Sequence, residues 1–167
     1  AAAGSWSKKT KRSSAVAGVT VLVGVLVMTM AVLTWRQSQV YRDEVTLWSH
    51  SIACYDDVWA AYDSRGAAYA AKGDYDQALR DCNRAIQLNP TSALSYYNRG
   101  LANDGRGDYD NSIRDYTQAI ALDPKHARAY NNRGAAYAHK GNHPRALQDC
   151  DNAIEIHPNY AIAYFNR

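Results

Sequence analysis

The chain has 167 residues, and its 19 Lys and Arg against 16 Asp and Glu give a formal net charge of +3. Between residues 59 and 167 the charges nearly balance, with 13 basic and 12 acidic side chains. This balance excludes the basic stripe that is typical of nucleic-acid-binding proteins, so no nucleic-acid partner is expected. The three cysteines are an odd number and do not suggest a disulfide framework.

The first predicted element is a membrane-spanning helix. Residues 1–14 form a basic N-terminal segment, and the run that follows, residues 15–35, contains no charged side chain. A helix of this length measures about 30 Å, the thickness of a bilayer core. A cleaved signal peptide is the competing interpretation, but the run is too long and no cleavage site of small residues follows it. We therefore predict a retained transmembrane helix.

The flanking charges predict the orientation of this span. Four basic residues precede it, whereas the two that follow are soon joined by Asp43 and Glu44. The positive-inside tendency then places the rest of the chain on the non-cytoplasmic side, periplasmic or lumenal. Thr20 and Gly24 form a small-x-x-x-small pair that would let another transmembrane helix approach closely. Membrane lipid and other transmembrane helices are therefore expected partners.

Residues 36–58 connect the span to a repeated region and contain no Gly or Pro, so a flexible linker is not expected. When the segment is shifted by the 34-residue period of the following chain, Tyr41 aligns with Tyr75 and Ile52 aligns with Ile86. We interpret it as the second helix of a degenerate half-repeat, which would mount the array rigidly.

From residue 59 onward the chain repeats every 34 residues, as Pro90, Pro124 and Pro158 show. Tyrosines, glycines, alanines and isoleucines keep the same spacing. A period of this length predicts stacked helix-turn-helix units, each stable only against its neighbours. The predicted units are residues 59–92, 93–126 and 127–160, with residues 161–167 starting a further repeat. We expect that repeat to continue in a longer polypeptide.

Within one unit, helix A is predicted from Trp59 to Lys72, where Gly73 ends it in a left-handed conformation. Helix B then runs to about Leu88, before Asn89-Pro90 stops it. Small residues mark the places where the two helices cross closely, namely Gly66, Ala78 and Ala85. Tyrosines are expected to fill the space between neighbouring pairs, namely Tyr62, Tyr69 and Tyr75.

The three units read YDSRGAAYAAKGDYDQALRDCNRAIQLNP, YYNRGLANDGRGDYDNSIRDYTQAIALDP and YNNRGAAYAHKGNHPRALQDCDNAIEIHP. Their order of aromatic, small and proline positions resembles the tetratricopeptide repeat (TPR) family. The departures are Asn103 and Ser112, and the cysteines Cys82 and Cys150 at places where a larger ring is usual. The resemblance implies an all-α chain: one transmembrane helix followed by a right-handed α-solenoid that binds protein partners through its concave face.

A weaker resemblance covers residues 30–58. The pattern TWRQ, YRD and TLW places Trp35, Arg36, Asp43, Leu47 and Trp48 as in the C-terminal part of multi-span, O-mannosyltransferase-like glycosyltransferases with TPR tails. This resemblance implies that the chain is a non-catalytic tail that selects protein acceptors, with the catalytic acidic residues lying upstream.

Two features of the sequence could bind a metal ion, and a structural argument weighs against each. Asp74-Tyr75-Asp76 and its copy from Asp108 to Asp110 spell the D-x-D pattern of metal-dependent glycosyltransferases, but both lie at the start of helix B, where an acidic residue caps the helix. The histidines have no two-His spacing for one helical face, so no zinc site is expected. No catalytic site and no cofactor are predicted.

Arginines and aspartates recur together, one of each in every repeat: Arg65, Arg99 and Arg133 with Asp81, Asp115 and Asp149. An arginine row could bind an acidic or phosphorylated ligand. Because the acids keep the same period, we favour a ladder of ion pairs between helices A and B. Cys82 and Cys150 lie two repeats apart and are predicted to be small core residues.

The candidate binding surface is the inner groove lined by helix A. Helical spacing selects Tyr97, Asn98, Leu101, Asp104, Arg128, Asn131, Asn132, Ala135, His139 and Phe165. The two amides Asn98 and Asn132 could bond to the backbone of an extended peptide, and the rings of Tyr97 and Phe165 could contact its side chains. Asp63 and Ala67 occupy the places where chaperone-binding relatives carry a Lys and an Asn that hold a carboxylate, so such a clamp is not expected.

The sequence therefore predicts a membrane-anchored TPR scaffold for protein–protein interaction, or an accessory subunit of a membrane protein complex. The alternative is the glycosyltransferase tail described above.

Overall fold

The computed structural model describes residues 25–35 and 43–167, and every regular element within these ranges is an α-helix. Contacts divide the chain into two compact units, Ala1–Asp43 and Glu44–Arg167. In the first unit, residues 25–35 form helix α1. The second unit carries α2 (Glu44–Cys54), α3 (Trp59–Ala71), α4 (Tyr75–Leu88), α5 (Ala93–Gly105), α6 (Tyr109–Leu122), α7 (Ala127–His139), α8 (His143–Ile156) and α9 (Ala161–Asn166).

Helix α1 carries eight large apolar side chains between Val25 and Trp35, each 50–67% exposed. Among the described residues, no helix is both long enough and apolar enough to cross a membrane. The first ten residues of the predicted span, with Thr20 and Gly24, lie outside the described ranges. The predicted span and its packing pair therefore stay predictions.

The second unit is a solenoid of helical hairpins. Its three pairs are α3–α4, α5–α6 and α7–α8, and each pair packs on the next through α4 against α5 and α6 against α7. Helix α2 packs against α3, and the short α9 packs against α7 and α8. The predicted all-helical array of stacked hairpins is confirmed, whereas its right-handed sense stays a prediction. We call α3, α5, α7 and α9 the A helices, and α4, α6 and α8 the B helices.

The helices begin and end as the sequence predicts. Each turn from an A helix to its B helix contains a glycine with a φ of 75 to 81°, a left-handed conformation that residues with a Cβ rarely adopt: Gly73, Gly107 and Gly141. The next residue caps helix B, because the side chains of Asp74, Asp108 and Asn142 each accept a hydrogen bond from a backbone N–H three residues later. The capping interpretation of the D-x-D pattern is therefore confirmed.

The two helices of a pair cross at small residues. Ala78 and Ala85 are fully buried, and the helices approach closely at Gly66, where an added Cβ would lie 3.0 Å from the sulfur of Cys82. Between pairs, Tyr75 lies against Gly105 of the next repeat, where an added Cβ would come within 2.3 Å of the tyrosine ring. Tyr75 thus fills the space between neighbouring pairs, as predicted.

Candidate functional site

Two cavities open among the A helices. We call the first the N-terminal cavity; its volume is about 350 Å³ and it is lined by Ala67, Ala70, Ala71, Tyr75, Asn98, Leu101, Asp104 and Gly105. We call the second the C-terminal cavity; its volume is about 310 Å³ and it is lined by Gly134, Ala135, Ala138, His139 and Asn166. The A-helix face that carries both cavities is called the groove below.

The two cavities occupy equivalent places in the repeat. Ala67 and Ala70 of the first cavity correspond to Ala135 and Ala138 of the second, two 34-residue periods later along the chain. In both cavities, small A-helix residues leave space that the A helix of the next repeat closes with an asparagine. The cavities therefore form at equivalent repeat positions, where alanines of one A helix lie opposite an asparagine of the next.

The structure brings together part of the predicted site. Asn98, Leu101 and Asp104 line the N-terminal cavity, and Ala135 and His139 line the C-terminal cavity. The remaining predicted residues line neither cavity: Tyr97, Arg128, Asn131, Asn132 and Phe165. The prediction missed the alanines of α3, although the period places Ala67 at the same position as Leu101 and Ala135.

Asparagines of the A helices donate hydrogen bonds to side chains of the preceding A helix. The Nδ2 of Asn98 donates to Asp63 Oδ2 at 3.0 Å, and the Nδ2 of Asn132 donates to the Tyr97 hydroxyl at 3.2 Å. The Nδ2 of Asn166 donates to Asn131 Oδ1 at 3.0 Å. We call these three bonds, each between residues 35 apart, the A-helix ladder.

The A-helix ladder includes predicted site residues that lie below the surface. Tyr97, Asn98 and Asn131 are buried, with 8, 8 and 2% of their surface exposed. Tyr97 packs in the core against Tyr116, and its ring lies tilted against that of His126 with ring centres 4.7 Å apart, so little of it is open to a ligand. The amides of Asn98 and Asn132 each use one Nδ2 hydrogen to link adjacent repeats, and their bonding to a peptide backbone stays a prediction.

Arg128 lies in the first turn of α7 and is exposed. Phe165 lies on α9, and 90% of its surface is exposed. Burial raises the pKa of the Tyr97 hydroxyl, and the guanidinium of Arg128 partly opposes this shift, which indicates that Arg128 is near that ring.

Electrostatically, the groove is acidic at its N-terminal end. Burial raises the pKa of both Asp63 and Asp104 above the ordinary value of a carboxyl group. Hydrogen bonds from Asn98 and Ser95 partly offset the shift at Asp63, and His139 partly offsets it at Asp104. One oxygen of each carboxylate, the Oδ1, is buried without a hydrogen-bond partner in the described part of the chain.

The arginine and aspartate series forms the predicted ladder of ion pairs between A and B helices. Arg65 bonds to Asp81 through two nitrogens at 2.7 and 2.8 Å, and Arg133 bonds to Asp149 in the same way at 2.8 Å. Arg99 makes the equivalent pair with Asp115. These arginines are therefore engaged within the solenoid and do not form a row for an acidic ligand.

Each of these arginines also contacts the helix that precedes its own pair. Arg99 donates to Asn83 of α4 at 2.8 Å and Arg133 donates to Thr117 of α6 at 3.1 Å. Arg65 donates in the same way to Ser49 of α2 at 3.2 Å. Helix α2 thus occupies, relative to α3, the position that a B helix occupies relative to the following A helix.

The cysteines are free thiols. Cys82 and Cys150 are buried core residues, as predicted, and burial raises the pKa of Cys82 to about 12, so its reactive thiolate form is suppressed. Cys54 is exposed, and its sulfur lies 4.0 Å from Nδ1 of His50. Among residues 25–35 and 43–167, no three His, Cys, Asp or Glu residues come together in a way that could hold a metal ion.

Comparison with known proteins decides the family. Two family models match, both described as tetratricopeptide repeat, over residues 61–92 and 97–161, which together make up more than half of the chain. The chain belongs to the tetratricopeptide repeat family. TPR folds generally serve as non-catalytic scaffolds, and neither of the matched models is that of a catalytic family.

Solved TPR structures resemble this one. The crystal structure of MamA matches with 25% sequence identity and a TM-score of 0.67. The match covers 73% of this chain and 71% of the MamA chain. The second TPR domain of human RPAP3, in complex with the HSP70 peptide SGPTIEEVD, is 28% identical, covers 63% of this chain and 88% of its own, and has a TM-score of 0.61.

A third similar structure is the second TPR of Spaghetti (RPAP3) bound to the HSP90 peptide SRMEEVD, at 28% identity and a TM-score of 0.58, covering 62% of this chain and 97% of its own. Curated protein sequences give no match to this chain.

Proposed function

We propose that this TPR chain is a membrane-anchored scaffold that binds a protein partner through an extended peptide in its groove. The observation that carries the proposal is the pair of equivalent cavities, which open on the same A-helix face two repeats apart. Two similar TPR structures hold peptides of seven and nine residues, which supports a short linear segment as the ligand.

The groove favours an extended ligand because its cavities are small and separated. A volume of 310 to 350 Å³ accepts one or two side chains, not a folded domain. Alanines line both cavities and contribute apolar contact, whereas the polar lining residues fix the orientation of the ligand. Two side chains of one peptide, seated in the two cavities, would therefore both contribute to affinity.

Filling either cavity tests this proposal. Ala71→Gln and Ala138→Gln each add a side chain at an exposed position that lines one cavity, whereas the control Ala121→Gln makes the same change at an exposed position on α6. For a dodecapeptide selected from a phage library on the full chain, fluorescence anisotropy should show each cavity variant binding about tenfold more weakly. The control should bind like the unaltered chain.

Equal binding by all three variants would place the ligand outside the groove and contradict the proposal. Thermal melts of the same samples distinguish weak binding from loss of fold, since all three substitutions lie at exposed helical positions. A stoichiometric membrane complex that survives mild detergent would specify the role further, as an accessory subunit.

The membrane anchor is proposed from the uncharged run over residues 15–35 and from the exposed apolar side chains of α1. The four basic residues that precede the run support a non-cytoplasmic location of the repeats. Exposed Cys54 is a suitable reporter for this topology because the other two cysteines are buried.

Labelling of Cys54 tests both anchoring and topology. In intact cells that express the chain, a membrane-impermeant maleimide should label Cys54, and alkaline carbonate should leave the chain in the membrane fraction. Cys54→Ser should abolish the label, and deletion of residues 15–35 should release the chain. Labelling only after permeabilisation would contradict the orientation, and extraction by carbonate would contradict the anchor.

The glycosyltransferase interpretation gains no support. Arg36, one of the residues on which the resemblance depends, lies outside the described part of the chain. Neither of the matched family models is that of a glycosyltransferase. We therefore do not propose it as the function.

A further inference from the structure

The N-terminal cavity has a single charged lining residue, Asp104. Its other lining residues are alanines, Leu101, Gly105, Tyr75 and Asn98, none of which is charged. The Oδ1 atom of Asp104 is buried and has no hydrogen-bond donor in the described part of the chain. A carboxylate in this position attracts a cation from any ligand that enters the cavity.

A second carboxylate lies directly behind the cavity wall. Asn98, which lines the cavity, donates to Asp63 Oδ2 at 3.0 Å, and Asp63 is only 2% exposed. The Oδ1 atom of Asp63 also has no partner in the described residues. Burial raises the pKa of both carboxyl groups, as expected where negative charge is insufficiently compensated.

A partly buried carboxylate with one oxygen lacking a donor is unfavourable, and a cation brought into the cavity beside Asp104 relieves that penalty through charge attraction. The alanines of α3 and the side chain of Leu101 offer apolar contact to an aliphatic stem. Lysine combines such a stem with a compact ammonium group that has three donors.

We propose that the N-terminal cavity takes a lysine side chain of the bound peptide, with the Asp104 carboxylate as its counter-charge. This inference rests on the proposed peptide-binding function and specifies the ligand. It also distinguishes this groove from those of the two RPAP3 structures, whose bound peptides both contain the acidic sequence EEVD.

The C-terminal cavity supplies an internal comparison. The position of Asp104 in the repeat is occupied by Ala70 and Ala138, and no carboxylate lines the C-terminal cavity. A lysine should therefore be selected at one end of the groove only, which fixes the direction and register of the peptide.

The test uses three acetylated and amidated peptides, Ac-GSAXAGS-NH₂, in which X is lysine, glutamate or norleucine. Each is titrated into the full isotope-labelled chain in detergent micelles, and amide shifts of Ala67, Ala70 and Leu101 are followed by NMR. We expect the lysine peptide to bind about tenfold more tightly than the other two, because only its side chain brings a positive charge to the Asp104 carboxylate.

Asp104→Asn keeps the shape of the side chain and should reduce the lysine preference to less than about twofold. Asp56→Asn removes the same charge from an exposed turn outside the groove and should leave the preference intact. A thermal melt of each variant confirms that it is folded.

A lysine peptide that binds no more tightly than its norleucine or glutamate counterpart overturns the inference. So does a lysine preference that persists in Asp104→Asn. If the glutamate or norleucine peptide still shifts groove amides, the peptide-binding function stands and only its lysine specificity fails. If no peptide shifts any groove amide, both proposals fail together.

Discussion

Replacing Gly100 with alanine is expected to destabilise the chain by about 2–3 kcal/mol. A Cβ added at Gly100 would lie 2.6 Å from Cε1 and 2.8 Å from Cδ1 of Tyr116, closer than packed atoms approach. Tyr116 is fully buried and cannot rotate away. The overlap should therefore outweigh the roughly 1 kcal/mol that alanine gains over glycine within a helix.

The matched control is Gly66→Ala, at the same position in the first repeat. There the nearest atom to an added Cβ is the Cys82 sulfur at 3.0 Å, so the new methyl group displaces less. We expect a change within about 1 kcal/mol of zero, since the helix-propensity gain offsets the crowding. Urea unfolding followed by circular dichroism compares the two variants.

A double-mutant cycle identifies the cause. In a Tyr116→Cys background, which copies the Gly and Cys pair of the other two repeats, Gly100→Ala should cost about 1 kcal/mol or less. An equal loss at Gly66 and Gly100, or the same loss with and without the ring of Tyr116, would show that steric overlap is not responsible.

Replacing Asp115 with alanine is expected to cost about 3–5 kcal/mol, the usual result of breaking a buried ion pair from one side. The side chains of Asp115 and Arg99 are 6 and 26% exposed, and the carboxylate also accepts a hydrogen bond from Asn103 at 2.9 Å. The substitution leaves a half-buried guanidinium without its counter-charge and the buried Asn103 amide without an acceptor.

Asp76→Ala is the control, because it breaks an exposed ion pair with Arg106, whose atoms are 3.3 Å apart. Solvent screens this pair, so the expected loss is below about 1 kcal/mol. Replacing both partners of the buried pair, as Arg99→Met with Asp115→Leu, should recover much of the stability lost in Asp115→Ala. Similar losses for Asp76→Ala and Asp115→Ala would contradict the distinction between buried and exposed pairs.

The sequence was sufficient to predict features in which a repeat position serves the same structural role in every unit. The turn glycine Gly73, the helix cap Asp74 and the pairing of Arg65 with Asp81 each follow from residue type and from a constant spacing. Each depends on contacts within one helical pair, and local chemistry together with helical geometry determines such contacts.

The groove was only partly predictable because the burial of a helix residue depends on how the helices pack against one another, not only on its position along one helix. Helical spacing placed Tyr97 and Leu101 on one face, but the structure buries Tyr97 and leaves Leu101 beside a cavity. The A-helix ladder links residues 35 apart, one more than the period, so each bond has an offset of one position between neighbouring repeats. Nothing in a single unit indicates that offset.

The arginines that join three helices have a consequence for how the array can change in length. Arg99 contacts Asn83 before it and Asp115 after it, each 16 residues away, and Arg65 and Arg133 use the same two separations. Loss or duplication of whole 34-residue units keeps both separations, whereas a deletion or insertion of part of a unit between one of these arginines and either of its two partners changes that separation. The lineage of this protein can therefore add or remove repeats, and lengthen or shorten its binding surface, without a new interface having to evolve.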